Sequence, residues 1–175
     1  MSMLEGGGRS GGPGRMAGLT ADGLSVSARC VVGGLFVAMG LSKALDPVDF
    51  LKLVRQYELI EASVGLNLIA VVLPWFELFC GVLLLAGVAV RGTAVVSLGM
   101  LMPFSLVVWD RARGLHESLG GPFCGIRFDC GCGAGEVAIC HKLAENAVLM
   151  LCSAWLLGAG GRRWCLWPAL FRGRG

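Results

Sequence analysis

Two cysteines separated by a single glycine, Cys130 and Cys132, are the residues of this sequence best suited to chemistry. They lie in the stretch FDCGCGAGE, residues 128–136, and Gly131 between them has the backbone freedom that a tight turn needs. A disulfide requires Cα atoms about 4.4–6.8 Å apart, which a three-residue turn can provide. Because so small a ring is strained, its disulfide exchanges readily with other thiols. The spacing therefore indicates a redox-active pair that passes oxidising equivalents to another protein.

Two more cysteines, Cys124 and Cys140, flank this pair in the same polar connection and are candidate relay or resolving thiols. Other interpretations stay open at this point. The four cysteines could form structural disulfides, could be thiols without a role, or could bind zinc with His141 as an alternative ligand. The sequence lacks the paired C-x₂-C spacing typical of zinc sites, so no metal is predicted. The remaining cysteines lie in or beside apolar runs and are expected to be small buried hydrophobic residues: Cys30, Cys80, Cys152 and Cys165.

A second candidate site is the carboxyl group of Glu77, which lies inside an apolar run. A charged side chain at this depth of a membrane is costly unless it is protonated or paired. Candidate partners from other runs are Lys43, Asn146 and Glu145. The intramembrane polar site of Glu77, Lys43 and Asn146 has two interpretations: a contact for a proton or a quinone, or a structural hydrogen bond between helices. The residue types alone do not distinguish between these two interpretations.

The elements that must position these residues are adapted to lipid. Hydrophobic residues make up 55% of the 175-residue chain, charged residues 15%, and the mean hydropathy is +0.73. Soluble domains carry about 25% charged residues. The basic residues form no face with interleaved aromatic residues, which excludes nucleic acid as a partner. The lipid bilayer is therefore the expected surroundings of the chain.

Continuous apolar runs predict four membrane-spanning helices, at residues 24–45, 64–90, 93–109 and 141–160. The third of these is expected to end at Asp110. After the first span, Asp46 and Pro47 open an amphipathic helix at 46–60, which lies on the membrane surface or packs on the other helices. Short connections favour antiparallel neighbours. The predicted fold is all-α: an integral membrane four-helix bundle, antiparallel and up-down, with one short amphipathic surface helix.

The first span carries two expectations about its side chains. The segment between Arg29 and Lys43 is short for a full membrane crossing. Both side chains are therefore expected to snorkel outward to the two membrane surfaces. Gly33, Gly34 and Gly40 offer small surfaces that let another helix approach closely.

The chain divides into a disordered Gly-rich leader at 1–23, the transmembrane domain at 24–161 and an Arg-rich tail at 162–175. Met16 is an alternative start to Met1. Four spans place both termini on one side, and the arginines beside the first and last spans favour the cytoplasm for that side. The protein is therefore expected in the inner membrane as a multi-pass protein, with a cytoplasmic tail and a periplasmic cysteine loop, where disulfides persist.

These elements together resemble a known family. The order GGLFVAMGLSKALDP, then LPWFELFCGVLLLAG, then RG, then FDCGCG and a last apolar helix is similar to the methylamine utilisation protein MauE family, within the broader DoxX-like membrane proteins. The resemblance covers roughly residues 28–160. The matching positions are Lys43, Glu77, Cys130 and Cys132. Family members often continue the loop as C-G-C-F-G, whereas this chain has Gly133 and Ala134 there, and Cys124 and Cys140 are additional.

The resemblance implies a four-helix inner-membrane protein that assists the processing, transport or maturation of an exported periplasmic protein, such as the disulfide-rich small subunit of methylamine dehydrogenase. It also implies a thioredoxin-like partner, with a quinone as a candidate electron acceptor. Three functions remain in competition. The first is a thiol–disulfide oxidoreductase component, the second is a non-catalytic assembly factor with structural cysteines, and the third is a small transporter subunit.

Overall fold

The computed structural model describes residues 13–56, 63–130 and 135–159, most of which are helical. The helices are α1 (Pro13–Leu45), α2 (Pro47–Gln56), α3 (Ser63–Ala86), α4 (Val90–Leu119) and α5 (Ile139–Ala159). A single 3-10 turn (Phe123–Gly125) and two short strands, β1 (Arg127–Asp129) and β2 (Glu136–Ala138), separate α4 from α5. Helix α1 already begins within the expected leader, whose residues 1–12 lie outside the described residues, as does the tail.

Three helices in the described part of the chain are long and apolar enough to cross a membrane: Asp22–Leu45, Asn67–Ala86 and Val90–Ser118. The prediction of several spans is therefore confirmed for the first three. The fourth expected span, α5, is not apolar enough to qualify, because polar residues occupy its first two turns: His141, Lys142, Glu145 and Asn146.

Helix α4 continues past Asp110, where the third span was expected to end, as far as Leu119. Charged residues favour water over lipid, but they do not break a helix. The helix ends where Gly120 takes a φ of 67° and its N–H donates to the His116 carbonyl. Glycine adopts this left-handed conformation without the steric cost that a Cβ would bring.

Helices α1 and α3 pack antiparallel through glycines. A Cβ added at Gly33 would lie 2.9 Å from the Gly81 carbonyl oxygen, and one added at Gly81 would lie 2.7 Å from the Gly33 carbonyl oxygen. A Cβ at Gly40 would likewise lie 2.8 Å from the Pro74 carbonyl oxygen. The expected close approach is confirmed at Gly33 and Gly40 and is wrong at Gly34, where a Cβ would meet open space.

The expectation that Arg29 and Lys43 snorkel outward is also wrong. Their exposed fractions are 4% and 5%, and both side chains turn towards α3. Arg29 donates from Nε to the Leu84 carbonyl at 3.1 Å. Each cation donates a hydrogen bond to a buried acceptor on the neighbouring helix α3, so neither side chain needs to reach the membrane surface.

The core lies between the long helices, and large apolar side chains cover the outside. Helix α4 packs mainly on α5, and α5 also packs on α1. The buried apolar residues include Val32, Phe36, Leu84, Leu101 and Leu149. Cys80 is buried among them as expected, whereas Cys30 is exposed and Cys152 is half-buried. The outward residues include Leu68, Trp75, Phe79, Leu106 and Leu151, a distribution that suits contact with lipid.

Helix α2 forms where the amphipathic helix was expected. Asp46 caps it, accepting a hydrogen bond at 3.1 Å from the Asp49 N–H, and Pro47 occupies its first position. Phe50 is buried, and α2 packs against α3. On the exposed side Lys52 pairs with Asp49 at 2.6 Å, and this hydrogen bond lowers the pKa of the Asp49 carboxyl. Residues 57–60 of the expected helix lie outside the described residues.

The cysteine connection contains a small β-hairpin, which an all-α fold did not predict. Strands β1 and β2 pair antiparallel with Phe128 opposite Val137 and Asp129 opposite Glu136. The Ile139 N–H donates to the Ile126 carbonyl and joins the hairpin to the start of α5. The hairpin therefore lies at the end of the molecule where α4 stops and α5 begins.

Candidate functional site

A buried ion pair joins α1 to α3. The Lys43 ammonium nitrogen lies 2.7 Å from both carboxylate oxygens of Glu77, and the two side chains are 5% and 11% exposed. The antiparallel glycine contacts set this register, because a Cβ added at Gly40, about one turn before Lys43, would lie 2.8 Å from the Leu78 nitrogen and 3.2 Å from the Glu77 Cβ. Removal of one partner would leave an uncompensated charge in an apolar interior, which is strongly unfavourable. The two expected site residues are thus brought together.

Aromatic rings enclose the ammonium group of this pair. The Lys43 Nζ lies 5.4 Å from the centre of the Phe50 ring and 5.9 Å from the centre of the Phe104 ring. Rings at this distance attract a cation through their negative faces. Phe50 belongs to α2 and Phe104 to α4, so the short helix and a third long helix both close over the pair.

Asn146, the third expected residue, enters the same region from α5. Its Nδ2 donates to the Ser105 Oγ at 3.2 Å, and the Ser105 hydroxyl donates in turn to the Leu101 carbonyl at 2.7 Å. The Asn146 side chain does not contact Glu77 by a direct hydrogen bond in the described structure. Instead, Asn146, Lys43 and Glu77 line one cavity between the long helices.

Sequence reasoning missed Lys142, which is 1% exposed and lies beside this site. Its Nζ lies 3.1 Å from the Glu145 carboxylate, 3.9 Å from the Met39 sulfur and 6.0 Å from the centre of the Phe104 ring. A signal was available, because Lys142 precedes Asn146 by four residues and so shares its helix face. Two buried lysines of the described part of the chain therefore lie near the same aromatic ring, each paired with a glutamate.

The described cysteines of the connection have different environments. Cys124 and Cys140 form a disulfide with their Cα atoms 5.1 Å apart, which ties the 3-10 turn to the first turn of α5. This bond uses two of the four thiols considered as zinc ligands. Within the described residues, no group of three or more His, Cys, Asp or Glu side chains is placed to hold a metal.

Cys130 directly follows β1, and its side chain is buried. It is 1% exposed and belongs to a buried cluster with Val108 of α4. Met39 and Phe104 pack against this cluster, and the same two side chains line the cavity beside Lys43 and Glu77. Only one layer of side chains therefore separates the Cys130 cluster from the polar cavity. Cys132 lies outside the described residues.

The base of the hairpin is fixed on α4 by aromatic contacts. The Phe123 ring centre lies 5.5 Å from that of Trp109 and 5.6 Å from that of His116. Arg127 donates to the Glu136 carbonyl across the hairpin at 3.2 Å. The turn, the disulfide and this bond hold the start and end of the cysteine loop in place.

The long apolar helices define a multi-pass membrane protein. Residues 21–159 match the family model of the methylamine utilisation protein MauE, and the chain belongs to this family. No curated protein and no solved structure gives a significant match. The family match begins within α1 and covers the later described elements and both groups of candidate residues.

Proposed function

We propose that this MauE-family protein assists the maturation of an exported protein by thiol–disulfide exchange at its cysteine hairpin. The observation that carries the proposal is the arrangement of the hairpin cysteines. The Cys124–Cys140 disulfide fixes the base of the loop, Cys130 directly follows β1, and Cys132 comes two residues later in the sequence with one glycine between them. A fixed base limits the orientations in which the cysteine pair can meet a partner.

The burial of Cys130 assigns different roles to the two cysteines of the pair. A sulfur that is 1% exposed is closed to a protein partner unless the hairpin moves. We therefore assign the first contact with a partner to Cys132, and we assign Cys130 as the second cysteine of the disulfide, which leaves as a thiolate when Cys132 is attacked. Cys124 and Cys140, expected as relay thiols, serve in this scheme to hold the loop.

The exchange is a two-step transfer. A client thiolate attacks the Cys132 sulfur of a Cys130–Cys132 disulfide, which forms a mixed disulfide and releases Cys130 as a thiolate. A second client thiolate then attacks the client sulfur of that bond, which leaves an oxidised client and two reduced cysteines. Two electrons and two protons thus pass to the pair. A thioredoxin-like disulfide or a membrane quinone would accept them in the next step.

This function requires the loop to face an oxidising compartment, and we propose that α5 is a fourth membrane span. Lys142 and Asn146 lower the mean hydropathy of α5, yet each is 1% exposed and faces the interior of the bundle. The outward positions Val148, Leu151 and Trp155 are apolar and 43–70% exposed. A four-helix transmembrane bundle then has both termini in the cytoplasm and the hairpin in the periplasm.

Trapping of a mixed disulfide tests the proposal. Cys130→Ser retains the contacting thiol, so we expect it to accumulate a mixed disulfide with an exported client or a thioredoxin-like protein. Cys132→Ser should trap far less, because the remaining thiol is buried. Cys80→Ser is the matched control, since it removes a buried thiol outside the hairpin. If neither hairpin variant traps a partner, the exchange function is wrong.

A non-catalytic assembly factor is the second candidate. The formed Cys124–Cys140 disulfide and the burial of Cys130 favour it, because structural cysteines have these properties. In that case the hairpin would dock an exported protein without exchanging disulfides. Cys130→Ser/Cys132→Ser would then leave client maturation intact, provided that the protein still folds.

A further inference from the structure

The cavity between the four long helices has the features of a ligand site. Lys43 and Glu77 line it from α1 and α3, and Asn146 lines it from α5. Met39, Met100 and Phe104 supply apolar walls. The cysteines of the hairpin do not line this space.

One polar atom of Asn146 needs a donor. The side chain is 1% exposed, and its Nδ2 already donates to the Ser105 hydroxyl. The Oδ1 atom is buried and accepts no hydrogen bond from any described residue. Native structures rarely leave a buried amide oxygen in this condition, because the group has lost its hydrogen bonds to water.

The ammonium group of Lys43 offers the complementary donor. It has three N–H groups, and the two Glu77 oxygens use two of them. The described residues supply no third oxygen or nitrogen acceptor for this ammonium group, which lines the same cavity as Asn146. A ligand that accepts from Lys43 and donates to Asn146 would therefore satisfy both sides.

The charge balance and the volume of the cavity limit the kinds of ligand that can bind there. The Lys43–Glu77 pair is already balanced, so a charged ligand would add an unpaired charge to an apolar interior. The volume of the cavity is about 20 Å³. One water needs about 10–15 Å³ by this measure, whereas a benzene-sized ring occupies a cavity of about 150 Å³. A neutral group that both donates and accepts, and no larger than a hydroxyl, meets these conditions.

We propose that this cavity binds one neutral hydroxyl group, which links Asn146 of α5 to the Lys43–Glu77 pair of α1 and α3. The source of the hydroxyl is a water molecule or the end of a membrane-soluble alcohol. The body of such an alcohol would lie between the helices, with only its hydroxyl in the cavity. The site links Asn146 to the Lys43–Glu77 pair, with which Asn146 shares no direct hydrogen bond among the described residues.

Infrared spectroscopy of the purified protein in lipid nanodiscs tests the water source. Exchange of H₂¹⁶O for H₂¹⁸O should shift one O–H stretching band of the wild type to lower wavenumber. Asn146→Leu should lose that band, and so should Met100→Phe, which fills the cavity and keeps all its polar groups. Ser153→Ala is the matched control that should keep it, because its buried hydroxyl also lacks a partner but lies outside the cavity.

Thermal unfolding in the same nanodiscs tests the alcohol source. Phenol can donate a hydrogen bond and anisole cannot, so phenol should raise the unfolding temperature of the wild type more than anisole does. The difference should vanish in Asn146→Leu. Either the isotope-sensitive band or this phenol effect supports the hydroxyl site and identifies its source. The proposal is overturned if the folded variants keep the band, or if wild type shows neither response.

Discussion

The buried pair of Lys43 and Glu77 gives the sharpest prediction about stability. At a separation of 2.7 Å the two charges attract by about 6 kcal/mol if the effective dielectric constant is about 20. Desolvation of both groups offsets much of this attraction. Glu77→Leu removes the attraction and leaves the lysine buried, so we expect a loss of about 3–5 kcal/mol in the free energy of unfolding. Glu77→Gln keeps one acceptor and should cost less, about 1.5–3 kcal/mol.

The double variant Lys43→Met/Glu77→Leu separates pairing from packing. It removes both charges and replaces them with apolar side chains of similar size, so its stability should return to within about 1 kcal/mol of the wild type. The coupling energy between Lys43 and Glu77 is obtained from the wild type, Lys43→Met, Glu77→Leu and the double variant. It should therefore be at least about 3 kcal/mol. Reversible unfolding in mixed lipid–detergent micelles, followed by circular dichroism, provides the measurement.

The exposed pair of Asp49 and Lys52 is the matched control for this cycle. Its side chains are 62% and 68% exposed, and pairs of this kind contribute about 0–1 kcal/mol. If the coupling between Lys43 and Glu77 is no larger than that between Asp49 and Lys52, the charge pair is not what holds α1 to α3.

Three further predictions concern the hairpin, the helix contact and the topology. Cys124→Ser should destabilise the hairpin by about 3 kcal/mol, the loop-closure value for a separation of 16 residues, and faster proteolysis of the hairpin reports it. Gly81→Val should prevent folding or cost more than about 3 kcal/mol, because its side chain would enter the α1 backbone, whereas Gly34→Val in open space should change unfolding little. A membrane-impermeant thiol reagent should label the reduced cysteine loop in intact spheroplasts, and labelling only after lysis would reverse the proposed orientation.

The sequence was most informative where hydrophobicity alone decides the structure. Three of the expected spans are present, and Lys43 was among the partners expected for Glu77. A carboxyl group inside an apolar run needs a partner, and few residues of opposite charge are available in the other runs. The length of α4 could not be read in this way, because hydropathy marks where lipid ends rather than where a helix ends.

Other features depend on tertiary contacts that the residue types do not reveal. The two strands of the hairpin have three residues each, too few for an alternating pattern, and the disulfide and the contacts with α4 hold them. Gly33 and Gly34 are equivalent in sequence, yet only Gly33 faces α3. The spacing of Lys142 and Asn146 places both on one helix face, but the contact of Lys142 with Met39 of α1 is not visible in the sequence.

The reduction potential of the Cys130–Cys132 pair tests the proposed exchange function most directly. A structural disulfide has a potential below about −300 mV, whereas a pair that exchanges with partners has a higher one. A glutathione titration of the purified protein, read by thiol alkylation and mass analysis of the loop peptide, measures it without interference from Cys124–Cys140. We predict a potential well above −300 mV for this pair. A pair that stays oxidised throughout the glutathione range would contradict the account.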